Sequence, residues 1–162
     1  MARCFTSGQF WAGVGTTLVA MGAAVYVESN SLPAARPQAA MPTTFKCTVT
    51  RVHDGDGPIW CRERGPDGKP IKIRLTAISA RELDGTCSPN HPCPSASAQQ
   101  AQQALWRLAQ GQQLTCEATG TSYSRVTAWC WRPDGVELNC AMVKSGTALR
   151  WEKFDRQRRM CR

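Results

Sequence analysis

The stretch IKIRLTAI, residues 71–78, alternates without a break: Ile71, Ile73, Leu75 and Ala77 fall on one side, Lys72, Arg74 and Thr76 on the other. A period of two is the mark of a half-buried strand, because successive side chains of an extended backbone leave opposite faces. Turn sequences lie upstream. GPDG at 65–68 separates this strand from an extended segment at 59–64, and DGDG at 54–57 separates that segment from another, in which Phe45, Cys47, Val49 and Arg51 share a face. Three strands joined by two short turns make an antiparallel meander. Downstream, Ser97 with Gln100 forms a capping box, Ala101, Leu105 and Leu108 share a helical face, and Gly111 ends the helix. Strands near 114–118 and 125–131 follow, joined by GTSYS. The turn RPDG at 132–135 then leads into a shorter helix carrying Leu138, Ala141 and Met142, which ends at Gly146. The tail WEKFDRQRRMCR reads as a final basic helix. Three strands, a helix, two strands and a helix predict a β-barrel with helices, an α+β fold built on a five-stranded OB barrel.

The chain has 162 residues, enough for one ordinary domain, with 20% charged and 42% hydrophobic residues. That balance excludes a disordered polymer. The net charge is +8, and residues 1–44 hold two arginines against one glutamate, so the rest carries +7. Such an excess favours polyanionic partners. Nine cysteines without a single CxxC, beside only two histidines, point to disulfides rather than a zinc site.

Arg3 precedes an apolar run from Phe10 to Val27, so residues 1–28 read as a signal peptide or an N-terminal membrane anchor through residues 10–27. Residues 29–44, rich in Pro, Ala and Ser, read as a linker, and the domain spans 45–162. Either fate of the leader predicts export, to the periplasm or beyond, or a domain anchored at the outer side of an inner membrane. Setting Cys4 aside leaves eight cysteines, which allow 105 pairings. Element placement favours one of them, made of four bridges: Cys47–Cys61 flanking the first hairpin, Cys87–Cys93 closing a short loop, Cys116–Cys130 across adjacent strands, and Cys140–Cys161 stapling the second helix to the tail.

The polar residues each have an ordinary reading. DGDG is a turn, Arg74 the outward partner of Ile73 and Leu75, Arg125 a surface charge, and Glu82 a partner for Arg81 or a lysine. His53 reads as a strand residue and His91 as a loop residue. Most of Trp60, Trp106, Trp129, Trp131 and Trp151 read as core and rim packing rather than base stacking, and Arg156, Arg158 and Arg159 as a solvated face.

Taken in order, RVHDGDG, IRLTAISARE, SYSRVTAW and ELNCAMVKSGTALRW resemble the staphylococcal nuclease (thermonuclease) family over residues 45–150. The resemblance implies a calcium-dependent nuclease acting on DNA or RNA. It carries calcium to Asp56, the phosphate-gripping arginines to Arg74 and Arg125, and the glutamate that activates water to Glu82. Those residue types suit the chemistry. Guanidinium forks bind two oxygens of a phosphodiester at once, calcium takes hard oxygen ligands, and a carboxylate accepts the proton of attacking water. Ser79 stands where the family has its second calcium aspartate, followed by Ala80-Arg81, and Gly57-Pro58 follow DGD where a threonine is usual. The calcium is therefore expected to be weakly held or lost, with Arg81 adding a cation beside it. A rival reading is a non-catalytic binding or accessory module of the cell envelope, for example in exopolysaccharide production.

Overall fold

The computed structural model describes residues 41–155 together with Met160 and Cys161. The leader and most of the linker expected at the N-terminus lie outside the described residues, as do the tail arginines Arg156, Arg158 and Arg159. No helix among the described residues is long and apolar enough to cross a membrane.

Seven strands and two helices follow in the order β1 (Thr44–Val52), β2 (Ile59–Arg64), β3 (Pro70–Leu75), β4 (Ile78–Ser79), α1 (Ala98–Ala109), β5 (Gln113–Ser122), β6 (Arg125–Trp131), α2 (Leu138–Lys144) and β7 (Leu149–Arg150). Five strands close into a barrel in the order β1-β2-β3-β6-β5, and β4 pairs with β7 in a small ribbon of its own. Every barrel pairing is antiparallel except β3 with β6, where Arg74 lies opposite Thr127. The expected OB-like barrel with helices is therefore present.

The alternation of residues 71–75 works as expected: Ile71, Ile73 and Leu75 are buried in the interior with Ile59 and Leu114. On α1 the buried set is Ala98, Ala101, Leu105 and Ala109, one face at helical spacing, and Ser97 and Gln100 form the reciprocal cap. Asn139, fully buried on α2, ties the helix to the barrel. Its Nδ2 donates to the carbonyls of Thr76 (2.8 Å) and Ala128 (3.3 Å), and its Oδ1 accepts from the Cys130 amide at 3.3 Å.

All four favoured cysteine pairs are disulfides. Cys47, Cys61, Cys116 and Cys130 are almost wholly buried, so two of the bridges are part of the barrel's core as well as cross-links. Such bonds persist in oxidising surroundings, which agrees with export.

Three local expectations are corrected. A bulge between Val49 and Arg51 shifts the register of β1, so Arg51 turns outward instead of sharing the inner face with Val49. GTS belongs to β5, which runs to Ser122, and only Tyr123-Ser124 forms the turn to β6. The described part of the tail holds a single 3-10 turn, Glu152–Phe154, which ends at the buried Asp155. That carboxylate accepts from the Met160 amide at 3.2 Å and pairs with Arg150, anchoring the chain next to Cys161.

Candidate active site

The DGDG turn is folded by its first aspartate and seated by its glycines. Asp54 Oδ1 accepts the amides of Asp56 (3.1 Å) and Gly57 (2.8 Å), the bond pattern for which aspartate is favoured in turns. A Cβ at Gly55 would stand 2.4 Å from Ala101 Cβ on α1 and 2.7 Å from Ala80 Cβ, so only glycine lets the turn lie against both. Gly57, with φ +124°, brings its backbone against the Ile73 carbonyl, and the Asp56 carbonyl accepts the Leu75 amide at 2.9 Å. The turn is thus clamped between α1 and β3.

Asp56 points inward and is nearly fully engaged. Its Oδ2 accepts the Ala80 amide at 2.9 Å, and its Oδ1 pairs with Nη1 of Arg74. Arg74 leaves the outer face of β3 but is largely covered, with 12% of its side chain exposed. Burial and the neighbouring Arg125 bring its guanidinium down to about 10, against the pull of Asp54 and Glu82, and it stays a cation at neutral pH. Asp54 is pushed up from 3.8 to about 6, chiefly by burial and further by Glu82, with Arg74, the Gly57 amide and His53 opposing.

Glu82 lies on the segment after β4. Its Oε1 accepts from Ser88 Oγ at 2.9 Å, and its backbone amide donates to the Thr86 carbonyl. Arg81, expected beside the site, turns away instead: its guanidinium donates to the carbonyls of Gly85 (2.8 Å) and Pro94 (2.9 Å). Carbonyls that the loop leaves without strand partners take the cation, so Glu82 does not pair with it. Arg125 opens β6 beside the Tyr123-Ser124 turn and donates from Nε to the Ser122 carbonyl at 3.4 Å.

Asp54, Arg74, Glu82 and Arg125 line one cleft of about 820 Å3, whose other wall is aromatic. His91, read from sequence as a plain loop residue, lies on Trp151 with ring centroids 4.0 Å apart, and Trp151 meets Phe154 edge-on at 4.6 Å. Burial and the nearby Arg74 hold the His91 imidazole below its usual value, although Glu82 opposes them, so the ring is neutral at pH 7. Ser88, His91 and Trp151 were not singled out as site residues. The signal for the first two was the Cys87–Cys93 pair, which closes their loop six residues around and sets it against Glu82.

The donor set does not fit the calcium that the sequence resemblance implies. Asp56 spends one oxygen on a guanidinium and the other on an amide, and Asp54 uses Oδ1 on two amides. Ser79, buried on β4, contributes no charge. Calcium needs six to eight oxygens, several of them anionic. The only cluster of three potential ligands among the described residues is Cys47, Cys61 and Glu63, and its two sulfurs are joined as a disulfide. What the arrangement offers is a pair of guanidiniums open to an anion, two carboxylates, Asp54 and the serine-held Glu82, and aromatic surface alongside. Compared with known proteins, the chain matches no family model and no curated protein.

Proposed function

We propose that this domain is an exported nucleic-acid phosphodiesterase of the nuclease type. The observation that supports it best is the convergence of Arg74, Arg125 and Glu82 on one cleft beside an aromatic wall. In this reading Arg74 and Arg125 take the non-bridging oxygens of a phosphodiester and neutralise the charge that builds in the transition state. Glu82, held by Ser88, accepts the proton of a water attacking phosphorus. Trp151, Phe154 and Tyr123 offer apolar surface to the sugar and base next to that phosphate. No step passes through a metal, because Arg74 already serves as the counter-ion of Asp56.

A second reading, an envelope binding module that holds an anionic ligand without cleaving it, is supported by that same pair. With Asp56 committed and Ser79 neutral, one source of catalytic charge is missing. The two readings separate in one experiment. Purified protein with intact disulfides is incubated with single-stranded DNA, with calcium and with chelator, beside the variant Glu82→Gln. Cleavage that persists in chelator and disappears in Glu82→Gln supports the phosphodiesterase. Binding without cleavage in either condition supports the module. Cleavage only with calcium refutes the assignment of Asp56 to Arg74.

A further inference from the structure

A second groove, of about 420 Å3, shares Asp54, Glu82 and Arg125 with the cleft and is otherwise lined largely from the outer face of the first three strands. Register explains its lining. Arg51 pairs with Trp60 across β1 and β2, and Trp60 with Lys72 across β2 and β3, so the three side chains stand abreast. The bulge in β1 is what turns Arg51 to this side. Lys72 precedes Arg74 by two residues on β3 and therefore shares its face. The Lys72 ammonium lies 4.2 Å from the centroid of the Trp60 ring, a cation–π contact that holds a flexible cation over the groove. Among the described residues neither Arg51 nor Lys72 is paired with a carboxylate. The groove's two carboxylates, Asp54 and Glu82, lie at the end it shares with the cleft.

Resting on the phosphodiester reading above, we infer that this groove is the track for the flanking nucleotides of a single-stranded nucleic acid. Arg51 and Lys72 each take a phosphate beyond the one held at Arg74 and Arg125. The two are separated by two strand spacings, roughly 10 Å, so they meet different phosphates of one chain. A groove that combines cations with an aromatic ring is suited to a single strand whose backbone it follows. The consequence is a preference for polymers. A ligand with one internal phosphodiester fills the cleft alone, and a longer strand gains the track as well.

The test uses the full chain, disulfides intact, in a Glu82→Gln background that blocks turnover. Anisotropy is measured with a labelled thymidylate dinucleotide and dodecanucleotide across a salt series. Replacing Arg51 and Lys72 by glutamine removes two phosphate contacts, which lowers the salt slope for the dodecanucleotide by about 1.4. At ~0.1 M salt that corresponds to a loss of roughly 25-fold in affinity, shrinking as salt approaches ~1 M. Dinucleotide affinity and the melting temperature stay as they were. An equal loss for both ligands, or none for either, overturns the track. Displacement of the dodecanucleotide by polygalacturonate, charge for charge, overturns the nucleic-acid assignment in favour of an acidic polysaccharide. If neither oligonucleotide binds before Arg51 and Lys72 are changed, the phosphodiester reading itself has failed.

Discussion

Replacing Gly55 by alanine tests how the DGDG turn is held. The new Cβ would lie 2.4 Å from Ala101 Cβ and 2.7 Å from Ala80 Cβ, where apolar carbons normally rest about 3.5–4.0 Å apart. The turn must retreat by roughly 1 Å. Neither neighbour has a rotamer through which to yield, and the retreat also stretches the bond from the Ala80 amide to Asp56. Overpacking of this kind costs about 1–3 kcal/mol, and two clashes with one strained charged hydrogen bond place the expected loss near the top of that range. Ala101→Gly alone costs about 1 kcal/mol through helix propensity. In the Gly55→Ala background it also removes the closer clash, so the double variant should be more stable than additivity predicts by at least ~1 kcal/mol. Urea unfolding followed by tryptophan fluorescence and circular dichroism, with matched slopes, measures all three differences. Additivity within about 0.5 kcal/mol, or a near-neutral Gly55→Ala, would refute the close seating of the turn against α1 and Ala80.

Asp54 gives a pH dependence with a definite sign. Its carboxyl is raised to about 6 in the fold from 3.8, so ionising it opposes folding, with no cost below pH 4 and the full cost above pH 6. Two units correspond to about 3 kcal/mol. Asp54→Asn keeps the oxygen that accepts the Asp56 and Gly57 amides, so it should raise the melting temperature at pH 8 and leave it unchanged at pH 4. A constant offset across that range contradicts the assignment. Asn139→Ala strands the Cys130 amide and takes the side-chain donor from the carbonyls of Thr76 and Ala128, the second of which keeps the Thr76 amide, and should destabilise by about 2–4 kcal/mol in urea unfolding. A loss below ~1 kcal/mol would show that those groups find other partners. On the phosphodiesterase reading proposed above, Ser88→Ala removes the hydroxyl from Glu82, and one lost hydrogen bond of about 1 kcal/mol predicts an approximately fivefold fall in kcat with little change in KM. An unchanged kcat would separate Ser88 from catalysis.

Much of the barrel was legible because its signals are local. The alternation of residues 71–75, the Ser97–Gln100 cap and the turns at 65–68 and 132–135 each follow from backbone preferences a few residues long. Two of the disulfides followed from strand placement once the hairpins were set, a third from a six-residue loop and the fourth from the helix–tail order. What escaped the sequence depends on contacts between distant segments. The β1 bulge leaves no mark in the order of residues, yet it decides that Arg51 faces outward. The β4–β7 ribbon joins two-residue strands separated by about half the domain. Arg81 reads as a cation beside Glu82, but the carbonyls of Gly85 and Pro94, four and thirteen residues further along the loop, claim it. Of the site, Asp56, Arg74, Glu82 and Arg125 were named in advance and do converge, with Asp56 behind the cleft wall rather than on it. Trp151 and His91 meet through a loop closure that only the folded chain reveals.

The closed barrel has one more consequence. Each of its five strands is hydrogen-bonded on both sides, so the barrel offers no row of unsatisfied amides for a partner to extend by adding a strand. Whatever this surface recognises must be read by side chains. Alternation then separates two kinds of inheritance on one strand: Ile71, Ile73 and Leu75 preserve the architecture and Lys72 is at liberty to vary with the ligand, while Arg74, as the counter-ion of the buried Asp56, answers to both. Such a strand can change what it reads at Lys72 without the fold registering the change, whereas a change at Arg74 strands a buried carboxylate.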